Sequence, residues 1–128
     1  EYRRAEAKRA ITVPRTHVNA EGTVFYVIEV DGRYSGEFRY SALRKLHDWV
    51  SSSSEYAPEE PLPEFPGRSM FKLSFGDIED RRVLLEEYLQ CVLAEPKIVR
   101  TEEFKEFVRQ NRKWDSKVPL LASPQMMI

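Results

Sequence analysis

Residues 24–50 read VFYVIEVDGRYSGEFRYSALRKLHDWV, and this stretch decides the fold. Its first seven residues are β-branched and aromatic, and Val24, Tyr26, Ile28 and Val30 fall on one side of a strand. Asp31-Gly32 follows at once, a pair that turns a hairpin when it sits between apolar runs. Residues 33–39 then supply the returning strand. After Arg39 the period changes: Leu43, Leu46 and Val50 recur at helical spacing with Trp49 alongside. Ser41 reads as the N-cap of that helix, because its hydroxyl can accept a hydrogen bond from an orphan backbone amide.

Working outward, residues 10–13 read as a short strand with Ile11 and Val13 on one face, and Asn19 to Gly22 as the turn leading to Val24. The first third is thus a three-stranded antiparallel meander. Downstream, the helix fades in the serine run 51–54. Pro58, Pro61, Pro63 and Pro66 then place four prolines in nine residues, which excludes helix and central strand and predicts polyproline II. Ser74 to Asp77 resembles a capping box with Asp in place of the usual Glu, opening a helix to about Leu93. Leu85, Tyr88, Leu89 and Val92 form its apolar stripe, widened by Leu84 and Cys91, and Pro96 ends it. Thr101-Glu102-Glu103 starts a last helix, acidic near the positive end of its dipole, with Phe104, Phe107 and Val108 as its buried face. Residues 115–128 read as a tail draped on the domain. Strands followed by helices predict an α+β fold, with the three-stranded sheet packed against a helical subdomain of three to four helices.

Composition bounds the function. A chain of 128 residues and 15.0 kDa, 41% hydrophobic and 32% charged, is one folded domain. No stretch approaches the ~18 apolar residues of a membrane-spanning helix. The formal net charge of −1 disfavours both a nonspecific nucleic-acid binder and a protein held on anionic membranes by bulk charge. Any phosphate must be met in a local pocket. Charge is nonetheless uneven. Arg3, Arg4, Lys8, Arg9 and Arg15 face only Glu1 and Glu6 in residues 1–16, while Glu55, Glu59, Glu60 and Glu64 have no base among them in 55–64. Both segments read as solvated surface. Cys91 is the only cysteine, so no intrachain disulfide forms, and a reducing compartment is expected. The chain begins at Glu1, which reads as a piece cut from a longer protein.

Catalytic chemistry finds no support, and neither enzyme activity nor a cofactor is expected. Neither GxGxxG nor GxxxxGK[ST] occurs. His17 and His47 are thirty positions apart and read as ordinary histidines, so no metal site is expected. Cys91 lies on an apolar stripe, where a free cysteine behaves as a small hydrophobe. Glu86 and Glu87 point different ways on a helix and read as solvated.

One constellation stands out. Arg39 is at a strand-to-helix junction beside Tyr40 and Ser41, Arg68 follows the polyproline stretch, and Arg81 is near the start of the next helix. Such elements can converge on one cleft. Arginine suits phosphate because its planar fork donates two parallel hydrogen bonds and keeps its charge. Tyr40 can lay its ring against the apolar face of a sugar-like ring. Taken singly, each arginine is more often a surface residue or an ion-pair partner.

Three motifs in order, Phe38-Arg39-Tyr40-Ser41 with Leu43 and Leu46, Leu62 to Arg68 with its two prolines, and Arg81-Arg82 with Leu85, Tyr88 and Leu89, make the chain resemble the phox-homology (PX) domain. The resemblance covers about residues 8–112, with residues 1–7 as an N-terminal extension and 113–128 as a C-terminal tail. It implies a phosphoinositide-binding membrane-targeting module, of sorting-nexin or oxidase-organiser type, that most often reads phosphatidylinositol 3-phosphate on endosomal membranes. By the same resemblance Arg39 holds the 3-phosphate with Ser41 beside it, and Tyr40 packs on the inositol ring. Arg68, where the family usually has lysine, reaches the 1-phosphate, and Arg81 bonds the 4- and 5-hydroxyls. Phe38 departs from the family's usual basic residue and suggests lost peripheral charge. Ala42 and Leu43 stand where an acid and an aromatic are common, with Leu43 preserving the core. A second membrane signal is expected in the adjacent loop, where Met70 and Phe71 dip into the bilayer and Lys72 meets lipid phosphates. The competing reading is a protein-interaction scaffold, using the PxxP of Pro63 and Pro66 as an SH3 ligand or binding cargo. The expected partners are a phosphoinositide and a membrane surface, with no nucleic acid, and the expected location is cytoplasmic and peripheral.

Overall fold

The alternation in residues 24–30 builds the central strand of a three-stranded antiparallel sheet. The computed structural model describes residues 10–53, 61–68 and 73–117. Strands β1 (Ile11–Val18), β2 (Val24–Val30) and β3 (Arg33–Arg39) lie in the order β1-β2-β3. Tyr26 and Ile28 turn fully into the core, and Val24 packs against it half-buried. Asp31 at φ 53° and Gly32 at φ 74° both occupy the left-handed region, the backbone a tight two-residue hairpin requires. β1 is longer than the four residues the sequence suggested. It continues through Pro14 because the register shifts between Thr12 and Arg15 on an edge strand, where a missing amide donor is tolerated.

Four helices follow among the described residues: α1 (Tyr40–Ser52), α2 (Phe75–Leu93), α3 (Pro96–Val99) and α4 (Glu102–Asn111). The expected cap at Ser41 is corrected. β3 runs straight into α1, so extended Arg39 becomes the N-cap, without a side-chain capping bond, and Ser41 lies exposed inside the first turn. The capping box at Ser74 forms as read: its hydroxyl accepts from the Asp77 amide at 3.1 Å, and the Asp77 carboxylate accepts from the Ser74 amide at 3.2 Å. The stripe of α2 is narrower than expected. Leu85, Tyr88, Leu89 and Val92 are buried and Cys91 is half-buried, but Leu84 is 38% exposed. Pro96 follows the end of α2 and opens the single turn of α3. On α4, Phe104 and Val108 are buried, and half-buried Phe107 stacks on Phe38 at 5.7 Å.

Side chains of α2 fasten it to the backbone of β1. Arg82 donates to the Val13 carbonyl at 2.6 Å, Glu86 accepts from the Val13 amide at 2.8 Å, and Gln90 donates to the Ile11 carbonyl at 3.0 Å. Glu86 is therefore not the solvated acid expected, since its carboxylate satisfies an edge-strand amide. These contacts set direction: residue numbers rise along α2 as they fall along β1. With Val18 opposite Val24 and Phe25 opposite Arg39, the N-terminus of α2 lies at the end of the sheet that carries Arg39.

The chain after α4 returns to the free edge of β3. Lys113 and Glu37 exchange two backbone hydrogen bonds of 2.8 Å, Trp114 meets Tyr34 edge to face, and the Asp115 amide donates to the Tyr34 hydroxyl.

Candidate functional site

Arg39 ends β3 and caps α1 in an extended conformation, with φ −76° and ψ 154°. Its side chain is exposed and has no hydrogen-bond or ion-pair partner among the described residues. The amides of the first turn of α1, Ser41 included, have no intrahelical acceptors, so they add donors beside the guanidinium.

Tyr40 is the hinge of the site. Its hydroxyl donates to the Pro66 carbonyl at 2.6 Å, which ties the start of α1 to the proline-rich segment. The guanidinium of Arg81, from α2, lies over the same ring with its central carbon 3.8 Å from the centroid. Arg81 also donates to the Gly67 carbonyl at 3.3 Å, next to exposed Arg68. Arg81 thus contacts a chain neighbour of Arg39 and a chain neighbour of Arg68. Arg44, one turn along α1, donates to the Tyr40 hydroxyl at 3.3 Å and pairs with Asp48 at 3.5 Å.

Phe65 seats the proline-rich segment. Its ring is buried against Tyr40 at 5.6 Å, His47 at 4.6 Å and Tyr88 at 5.0 Å. Pro66 is buried with it. Desolvation lowers the pKa of His47, whose Nδ1 is 2.9 Å from the Tyr88 hydroxyl. At the start of α2, the hydrogen bonds from Ser74 hold the Asp77 carboxyl below its ordinary range. That acid is engaged in the helix cap about one turn before Arg81.

The sequence-predicted residues fall as follows. Arg39, Tyr40, Ser41, Arg68 and Arg81 occupy one end of the sheet and the adjoining helix starts. Met70, Phe71 and Lys72 lie outside the described residues. Phe38 is 1% exposed: the alternation of β3 turns it inward while Arg39 faces out. Leu43 is buried as expected. Sequence reasoning missed Arg44, the wedge formed by Phe65, and Phe75. Phe75 is the first residue of α2, is 79% exposed, and stands close in sequence to the loop of Met70 and Phe71. An aromatic directly after an N-cap serine, on no apolar stripe, was the available signal.

A second polar group surrounds Glu37, whose carboxylate accepts from His17 at 2.7 Å and from the Tyr34 hydroxyl at 2.6 Å, with Asp115 nearby. Its lone pairs are engaged by protein donors, and it serves to hold residues 113–115 on β3. Among the described residues, no helix is long and apolar enough to cross a membrane.

Comparison with known proteins identifies the family. The family model for the PX domain matches residues 27–111. Sorting nexin-17 of Danio rerio is 31% identical over 112 residues, covering 84% of this chain and 23% of the relative. Sorting nexin-17 of Homo sapiens is 35% identical over 96 residues, covering 75% of this chain and 20% of the relative. Sorting nexin-31 of Mus musculus is 34% identical over 85 residues, covering 66% of this chain and 18% of the relative. The chain therefore spans about a fifth of the length of the curated relatives it matches.

Proposed function

Because the chain belongs to the PX domain family of phosphoinositide-binding membrane-targeting modules, we propose that its pocket reads phosphatidylinositol 3-phosphate on endosomal membranes. The observation that carries this reading is the bridge made by Arg81, which rests on Tyr40 beside Arg39 and bonds Gly67 beside Arg68. Arg39 receives the 3-phosphate, with the hydroxyl and amide of Ser41 beside it. Arg68 takes the 1-phosphate. Arg81 donates to the 4- and 5-hydroxyls, a contact that a further phosphate at either position displaces. Tyr40 gives one ring face to Arg81 and presents its remaining surface to the inositol. A headgroup contact alone holds a protein weakly on a bilayer, so a second signal is required. Met70, Phe71 and Lys72 supply it, and exposed Phe75, close by in sequence, adds an apolar side chain.

The alternative of an SH3 ligand is disfavoured by the burial of Phe65 and Pro66, since a PxxP motif is read through exposed prolines. On this reading, protein partners bind through other domains of a longer chain.

Liposome sedimentation tests the reading. Wild type binds vesicles containing phosphatidylinositol 3-phosphate and releases vesicles of phosphatidylserine alone. Arg39→Ala loses binding at unchanged circular dichroism. Equal binding by the variant, or equal binding of both vesicle types by wild type, overturns it.

A further inference from the structure

Three segments far apart in sequence bring a histidine and two acids together. His17 of β1, Glu37 of β3 and Asp115 of the returning chain each offer one atom of ligand type, and these atoms all lie within 4.8 Å of one another. The contact between His17 and Glu37 spans β2, which separates the other two strands. Glu37 is 2% exposed, and a carboxylate buried that deeply requires a positive partner. Among the described residues the only basic side chain paired with it is His17, whose Nδ1 is 2.7 Å from Oε1. Its other oxygen accepts from the Tyr34 hydroxyl at 2.6 Å.

The acids are held from outside the cluster. Tyr34 fixes the Glu37 carboxylate, and its hydroxyl accepts in turn from the Asp115 amide at 2.6 Å. Asp115 Oδ1 accepts from the Lys117 amide at 2.9 Å, while Oδ2 has no hydrogen-bond or ion-pair partner among the described residues. Carboxylate ligands of a metal are oriented by outer hydrogen bonds of this kind. The His17 side chain is half-exposed, which gives an ion a way in and the ring room to move. One imidazole nitrogen with two carboxylate oxygens suits zinc, which takes four ligands at about 2.0–2.2 Å. Calcium and magnesium call for about six or more oxygens and fit the set poorly.

The geometry points to a zinc site on His17, Glu37 and Asp115, with the fourth position open to water. The link between His17 and Glu37 runs through one proton; the cation takes its place and that proton leaves to solvent. Two ligands of a tetrahedral zinc stand about 3.3 Å apart, so the His17 ring moves outward by roughly half an ångström. The ion then ties β1, β3 and the returning chain at one point, and reinforces the fastening that Glu37 already makes through hydrogen bonds. The inference is independent of the lipid-binding reading.

The experiment titrates zinc chloride into metal-free wild type, His17→Gln, Asp115→Asn and His47→Asn by calorimetry, with thermal melts at matched zinc concentrations. Wild type should bind one zinc per chain and melt at a higher temperature with it. Losing an outer partner of a metal ligand costs about tenfold to a hundredfold in affinity, so losing the ligand itself in His17→Gln or Asp115→Asn should cost at least about tenfold. His47→Asn, which removes the other histidine, should bind as wild type does. Absence of saturable one-to-one binding by wild type overturns the inference. So does weakening of less than about tenfold in His17→Gln or Asp115→Asn, or lost binding in His47→Asn. If either ligand variant changes the circular dichroism, cobalt chloride added to wild type decides. The intense visible absorption of four-coordinate cobalt upholds the site, and the weak absorption of a six-coordinate ion overturns it.

Discussion

The guanidinium of Arg81 lies over the ring of Tyr40, its central carbon 3.8 Å from the ring centroid. One residue opens α1 and the other is in the second turn of α2, so this stack joins the two helix starts. A cation over an aromatic face contributes about 0.5–2 kcal/mol, more as water is excluded. Arg81 is therefore held where it stands without a carboxylate neutralising it, and its charge stays available to an anion.

Separating ring from hydroxyl at Tyr40 tests this arrangement. Tyr40→Phe keeps the stack and loses the bond to the Pro66 carbonyl, so affinity for the lipid should stay within about threefold while stability falls by about 1 kcal/mol. Tyr40→Leu removes the stack, and affinity should fall about tenfold or more. Vesicle sedimentation and urea denaturation read the two effects; equal affinities for the two variants would refute the stack's role.

Ser74 caps the helix that carries Arg81. Ser74→Ala removes the acceptor for the Asp77 amide and should cost about 1 kcal/mol, seen as a lower melting temperature. Ser74→Asp, which restores an acceptor, should recover most of that loss.

Gly36 marks where residues 112–113 cross β3. Its φ is +117°, and an added Cβ would stand 2.6 Å from the Arg112 side chain and 3.2 Å from the Lys113 carbonyl. Gly36→Ala should destabilise the domain by about 2 kcal/mol or more, through strain and this clash. Faster amide exchange at Glu37 and Lys113 should accompany the loss. Unaltered exchange at both amides would show that the crossing does not depend on Gly36.

His47 predicts a pH dependence. Burial lowers its pKa in the folded protein, so the unfolded chain binds its proton more readily. This contribution to stability is complete above the unfolded pKa of 6.5, declines as pH falls below it, and levels off below the folded pKa. Wild type should therefore lose more stability than His47→Asn in denaturant melts at pH 5 compared with pH 7. Asp77, whose pKa is also lowered, acts in a separate range: its contribution is present above 3.8 and is lost as pH falls through its depressed value. A wild type that gains on the variant as pH falls has the wrong sign for a buried neutral imidazole.

Local chemistry made much of the fold legible. Period-two alternation with Asp31-Gly32 identified the hairpin, the prolines excluded helix and strand from residues 61–66, and Ser74 with Asp77 announced α2, because each signal acts within a few residues of itself. What escaped depended on neighbours across the fold. The length of β1 hung on a register shift against β2, and the role of Glu86 on the Val13 amide above it. The burial of Phe38 and the exposure of Leu84 turned on which face each element offered to the core.

The sequence by itself determined the order of elements, the α+β class and the placing of Arg39, Arg68 and Arg81 at element boundaries, since backbone preference and hydrophobic period are carried by near neighbours. Only the tertiary structure decided that these boundaries share one end of the sheet. It also put Arg81 on Tyr40, set Phe65 beneath the proline segment and left the buried Tyr26 hydroxyl unpaired among the described residues. Those relations arise when α2 docks on β1 in one direction, through contacts between residues some seventy to eighty positions apart.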